Sequence, residues 1–292
     1  MGKRDATYEF IRVMSMVFAV SVHACSNAAG NYLVDTLTGQ LVGTLLYLCN
    51  GLFFMISGFL MSWGYRDRIR EGSICFGEFL GRRLKKLYPV YAWSNVAALA
   101  VSVWQYGVSA INLKRCAFTF LLMGGVLDKA GPYNTPTWFV PALAVCYGIY
   151  YAGAYWTKSA TAYRVFLAGM LAVGYYISGT ELNIPLLFDS SGTAYLNFFA
   201  GCILAEVYPQ MKLEKKRLRM VECLLLSGLL LSVYLMLRYG VEIISGGSAA
   251  AFTFVICPVV LYLAYEEGII SRILSWKSLQ FLGRISMGVF YW

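Results

Sequence analysis

His23, the one histidine of the chain, stands eleven residues after Arg12, and Glu9 stands three residues before that arginine. The residues from Val13 to Val22 between them are mostly apolar. At 100° and 1.5 Å per residue, eleven residues put Arg12 and His23 on one helix stripe about 16 Å apart. An ionisable group inside a membrane span costs about 2.5–3.5 kcal/mol or more, so it marks a site unless packing alone explains it. Imidazole gains or loses a proton near neutral pH, and guanidinium binds anions through a planar fork. This pair suits a site that handles an anion and a proton. The alternative is a histidine hydrogen-bonded between helices for packing. Glu9 can pair with Arg12 along the helix, either neutralising it or positioning it.

The basic run Arg82-Arg83-Leu84-Lys85-Lys86-Leu87-Tyr88-Pro89 is the second chemical feature. It is a topology signal and also a candidate phosphate cradle, because arginine offers a bidentate fork to phosphate. Phe53 to Leu60 reads FFMISGFL, with Ser57 and Gly58 as small residues among bulky ones, where helices can approach closely. Thr135-Pro136-Thr137-Trp138-Phe139 opens a later apolar run. Pro136 suits a helix start, and Trp138 suits an interfacial belt or the wall of a sugar or acyl site. Glu206, Glu222, Arg238 and Glu242 lie near the ends of apolar runs, where snorkelling or local pairing accounts for them.

Other chemistries find no support. No GxxxxGK[ST], HExxH or GxSxG motif is present, and a single histidine excludes a multi-histidine metal site. The eight cysteines (Cys25, Cys49, Cys75, Cys116, Cys146, Cys202, Cys223 and Cys257) are scattered without a CxxC pair, as small apolar residues would be. Val22-His23-Ala24-Cys25 faintly matches a lipoprotein cleavage box, but Arg12 within the apolar stretch argues against processing. Ala6 breaks the myristoylation pattern.

The elements that carry these residues are membrane helices. Hydrophobic residues make up 59% and charged residues 13% of 292, and mean hydropathy is +0.61. Soluble domains are nearer one quarter charged. Apolar runs near 8–27, 41–63, 88–105, 111–126, 137–156, 163–179, 192–208, 220–238, 247–265 and from 279 onward predict an all-α polytopic bundle of nine or ten spans. No internal repeat is clear, and residues 1–292 read as one domain. The net charge of +9 comes from basic segments between apolar runs, so it signals orientation rather than nucleic acid. A basic loop at 64–87 and another at 209–219, with no Lys or Arg in 28–40 or 180–191, put the N-terminus in the cytoplasm. If 111–126 crossed fully, the 209–219 loop would fall outside; a re-entrant or interfacial 111–126 puts every main basic loop inside. The run that opens at Phe281 reaches only Trp292, which suggests truncation within a last helix.

Taken in order, these phrases resemble the acyltransferase 3 family of multi-span membrane enzymes. The matching residues are Glu9, Arg12 and His23; Phe53 to Leu60; Arg82 to Tyr91; Trp138-Phe139; and Leu282 to Tyr291. The resemblance covers essentially the whole chain, apart from apolar residues, often with a second histidine, that follow in the family. It implies transfer of an acyl group, commonly acetyl, from cytoplasmic acyl-CoA to a hydroxyl of a cell-envelope glycan, with no bound cofactor and a place in a bacterial inner membrane. His23 would be the general base, Arg12 would assist, and Glu9, Ser57, Arg82, Arg83, Tyr88 and Trp138 would line the donor or acceptor sites. Direct transfer and an acyl-enzyme on Cys25 or Ser57 both stay open. A transporter of polysaccharide or a small anion using Arg12 and His23 is the non-enzyme alternative, and the membrane module of a larger sensor or racemase is a third.

Overall fold

The computed structural model describes residues 37–180, 182–211, 213–239, 258–260 and 262. Glu9, Arg12 and His23 lie outside the described residues, as do the expected first and last spans. The described residues form helices, with no strand among them and one isolated bridge between Gly124 and Asp128. In chain order the helices are α1 Leu37–Arg70, α2 Phe76–Tyr106, α3 Leu113–Phe120, α4 Phe139–Trp156, α5 Ala160–Ser178, α6 Asp189–Val207 and α7 Lys215–Tyr239. By length and composition, α5 is the helix among the described residues that is long and apolar enough to cross a membrane.

The expected basic loop at 64–87 is mostly helix. α1 runs through Arg66, Arg68 and Arg70, and α2 already carries Arg82, Arg83 and Lys85 in its first turns. Arg and Lys are good helix formers, and cations in the last turn of α1 complement its dipole. The true connection is residues 71–75. Gly72 closes α1 with a left-handed φ of 70°, and the Ser73 amide returns to the Arg68 carbonyl at 2.9 Å, as in a Schellman stop. Likewise, Lys215 to Arg219, expected in a loop, open α7.

The chain divides into two compact units, Gly58–Ile203 with Tyr291–Trp292, and Met1–Ser57 with Leu204–Phe290. In the first, an aromatic core of Phe79, Tyr147, Tyr150, Phe198 and Phe199 joins α2, α4 and α6 through ring contacts of 5.3–6.5 Å, each worth about 0.5–1.5 kcal/mol beyond area burial. Gly58 is needed for close approach, since a Cβ there would overlap the Phe198 carbonyl. Gly174 plays the same part between α5 and the backbone of Leu196.

Long-range contacts order the ends of this unit. Arg70 donates to the Lys158 carbonyl, and the Tyr151 hydroxyl donates to the Ile74 carbonyl at 3.0 Å. The 71–75 and 157–159 connections therefore share one end. Segment 107–138 leaves α2 at Tyr106 and comes back alongside it. Tyr88 and Tyr91 hydroxyls donate to the carbonyls of Phe120 and Thr119, both at 2.9 Å. The segment then enters α4 at the level of Asn95. At eight residues α3 is about 12 Å long, against about 30 Å of hydrocarbon. Segment 107–138 thus starts and finishes away from the 71–75 end.

In the other unit, Leu218 and Tyr262 are buried together against Tyr208, Leu213, Val221, Leu225 and Val259. The Tyr262 hydroxyl donates to the Met211 carbonyl at 2.8 Å and accepts from the Leu213 amide at 3.2 Å.

Candidate functional site

The end bearing 71–75 and 157–159 gathers Arg66, Arg68, Arg70, Arg82, Arg83, Lys85 and Lys158, with Asp67, Glu71 and Glu78 as the carboxylates of the same stretches. The two neighbouring arginines are treated differently. Arg82 is exposed and forms an ion pair with Glu78 at 2.5 Å, one turn earlier on α2. Arg83 lies over the ring of Tyr65 on α1, its Cζ 4.4 Å from the centroid. Arg68 approaches the same ring at 5.5 Å, and Arg66 covers the ring of Tyr163 at 5.0 Å. Such stacking contributes about 0.5–2 kcal/mol, more as water is excluded, and fixes the plane of the guanidinium. This end can hold a group with several phosphates.

Beneath it runs a chain of buried hydroxyls. Ser62 Oγ and Tyr163 Oη are 3.0 Å apart, Tyr163 donates to Tyr150 Oη at 3.4 Å, and Tyr150 donates to the Met61 carbonyl at 3.3 Å. It ties α1, α4 and α5 together just below Arg66. Sequence reading passed over these residues because tyrosine in an apolar run looks like packing. Their signal was a hydroxyl that needs a partner wherever it is buried.

The opposite end is built around Asn95, which is fully buried on α2. Its Nδ2 donates to the Tyr91 carbonyl at 2.9 Å and to Thr137 Oγ1 at 3.2 Å, and its Oδ1 accepts from the Asn134 amide at 2.8 Å. It pins the 3-10 turn Thr135–Trp138, so that the half-buried Trp138 stands at the mouth of α4 beside Gly125. Asn95 was also missed, although an amide inside an apolar run is itself a signal. Around it, Arg115 donates to the carbonyls of Gly131 and Pro132 at 3.2 and 2.8 Å while stacking on Tyr133 at 4.5 Å. Burial raises the Tyr133 phenol above its ordinary value, and its one hydroxyl proton lies within reach of the Ala110 and Asn112 carbonyls at 3.4 and 3.3 Å.

The remaining expected site residues have local partners. Ser57 is buried and back-bonds to the Phe53 carbonyl at 2.9 Å. The Tyr88 hydroxyl is engaged by Phe120, as above. The structure thus brings Arg83 together with Arg68 at one end, keeps Arg82 on Glu78, and sets Trp138 beside Gly125, next in sequence to the Thr137 that Asn95 holds, at the other end. Among the described residues no three His, Cys, Asp or Glu side chains converge as a metal site would require.

A family model described as an acyltransferase domain matches residues 5–292. Among curated proteins, the chain is similar to "Protein 2 in picA locus" of Rhizobium radiobacter, 32% identical over 96 residues. That match covers 30% of this chain and 50% of the relative, so it spans half of the relative's length. No solved structure matches.

Proposed function

Because the chain belongs to the acyltransferase 3 family and is an acyltransferase, we propose that it is a multi-pass membrane enzyme acting on a glycan. It moves an acyl group, acetyl above all, from cytoplasmic acyl-CoA to a hydroxyl of an extracytoplasmic or lipid-linked polysaccharide. The observation that carries the donor side is the set of arginines gathered at the 71–75 end, since acyl-CoA is rich in phosphate. The membrane reading is supported by exposed aromatics near both ends of the helices. Tyr155 and Trp156 stand by the basic end, and Trp104, Tyr106, Tyr175 and Tyr176 lie far along α2 and α5, as interfacial belts do. Residues 1–292 act as one catalytic domain in this reading, with nine spans, segment 107–138 re-entrant or interfacial, and the N-terminus in the cytoplasm of a bacterial cell.

In the proposed reaction, His23 takes the proton of the acceptor hydroxyl as its oxygen attacks the thioester carbon. The carbon–sulfur bond breaks, coenzyme A leaves as thiolate, and His23 returns the proton to that sulfur. Arg12 supports the donor and Glu9 holds Arg12. Trp138 offers its indole to the sugar. Ser57 and Tyr88, whose hydroxyls already serve backbone carbonyls, act by packing, and direct transfer is the simpler route.

Purified wild-type protein in lipid nanodiscs, given acetyl-CoA and a lipid-linked oligosaccharide, is expected to release free coenzyme A thiol and to acetylate the glycan. His23→Ala is expected to lower that rate by about 10²–10⁴ while the protein still inserts. Glycan acetylation at the wild-type rate in this variant rules out His23 as the base. Glycan movement without thiol release favours a transporter.

A further inference from the structure

We propose that Tyr65 is a positioning residue for the donor site, a platform that fixes Arg68 and Arg83 as a pair for the phosphates of the donor. The proposal rests on the acyl-CoA reading above. Three observations carry it. First, the two arginines come from different helices, yet both guanidiniums lie over one ring, at 5.5 and 4.4 Å. They are therefore no more than about 10 Å apart, within reach of one multiply phosphorylated group. Second, the ring itself is held. Phe79, fully buried, meets Tyr65 edge-on at 5.3 Å. Third, the charge of these two arginines is uncommitted. Among the described residues neither forms an ion pair with a carboxylate, and Arg83 Nε is buried without a hydrogen-bond partner. Arg82 differs on each count, being exposed and paired with Glu78.

Two half-buried cations side by side repel one another, and burial weakens the water that would screen them. The Tyr65 ring that both guanidiniums approach offsets part of that cost. It also removes rotamer freedom that a ligand would otherwise have to freeze, which improves binding without a new contact. Tyr65 therefore acts on donor binding through the arginines. The ring, not the hydroxyl, does this, so phenylalanine replaces it.

The test measures donor KM and kcat for the full chain in nanodiscs, with acetyl-CoA as donor, alongside direct binding of coenzyme A. Tyr65→Leu is expected to raise donor KM at least fivefold with kcat within twofold, and Tyr65→Phe to restore donor KM to within twofold of wild type. Arg83→Lys, which keeps charge but loses the planar stack, is expected to raise donor KM at least fivefold and more than Arg82→Lys does. The lysine pair decides the matter should Tyr65→Leu fail to fold. A donor KM within twofold of wild type in both Tyr65→Leu and Arg83→Lys overturns the proposal, as does an Arg82→Lys effect equal to that of Arg83→Lys. A wild-type protein that neither binds coenzyme A nor releases it from acetyl-CoA overturns the donor reading, and this proposal with it. Wild-type binding combined with unaffected variants overturns the platform alone.

Discussion

Asn95 shows how one buried amide sets the geometry of an end. It satisfies a carbonyl of its own helix, a threonine hydroxyl and the amide that begins the turn into α4. Removing it takes the acceptor from the Asn134 amide, while the Thr137 hydroxyl keeps its own donation to the Asn134 carbonyl at 2.7 Å. At about 1–3 kcal/mol for a lost buried hydrogen bond, Asn95→Ala is expected to destabilise the protein by about that much, measured by thermal unfolding in detergent, and to lower activity by loosening Trp138. An unchanged midpoint would mean the turn holds without it. The identity of such residues was visible in the sequence, but their role was not. A polar residue in an apolar run announces that some partner exists; Thr137, 42 positions away, is found only by folding the chain. Arg82 and Arg83 make the same point. Adjacent and alike in sequence, they leave α2 about 100° apart, so one reaches Glu78 and the other Tyr65.

At the scale of elements, hydropathy located the long helices among the described residues, with α4, α5 and α6 matching their runs within three residues, and misjudged the ends of α1, α2 and α7. Those three apolar runs end where charge begins, whereas the helices continue into the charged residues. Backbone hydrogen bonding, which sets the helix, tolerates Arg and Lys well, while partition into lipid does not. Segment 107–138 is the clearest case. Its apolar core around 111–126 is compatible with a crossing by composition, but it forms the short α3 and loops pinned by Tyr88, Tyr91, Asn95 and Tyr133. The expected consequence is a defined sidedness. In a background lacking other cysteines, Ser109→Cys and Lys129→Cys are expected to react with an impermeant maleimide from one side of the membrane, and Ser73→Cys and Lys158→Cys from the other. Labelling of position 129 from the same side as position 73 would falsify the return of this segment.

At the scale of the molecule, the exposed surface is apolar across the middle of α2 and α5 and carries aromatics near the helix ends, whereas the middle of α4 is buried. Val165 and Val173 on α5 are 66% and 42% exposed, which water would penalise and lipid would not. The protein is expected to stay in the membrane pellet through an alkaline carbonate wash and to need detergent for extraction; release by carbonate would contradict a spanning bundle. Local composition was enough to establish the helical class, the richness in lipid-compatible surface and, by ordered phrases along the chain, the acyltransferase family. The first two depend on neighbours within a turn or within about 20 residues, and the family on the order of such phrases along the chain, without any contact between them. Which cations converge, which arginine is left uncommitted, and which apolar run turns back depend on contacts such as Arg70 with Lys158, 88 residues apart. Such contacts form only once helices pack, because side-chain complementarity between distant segments, not the character of either segment, selects them.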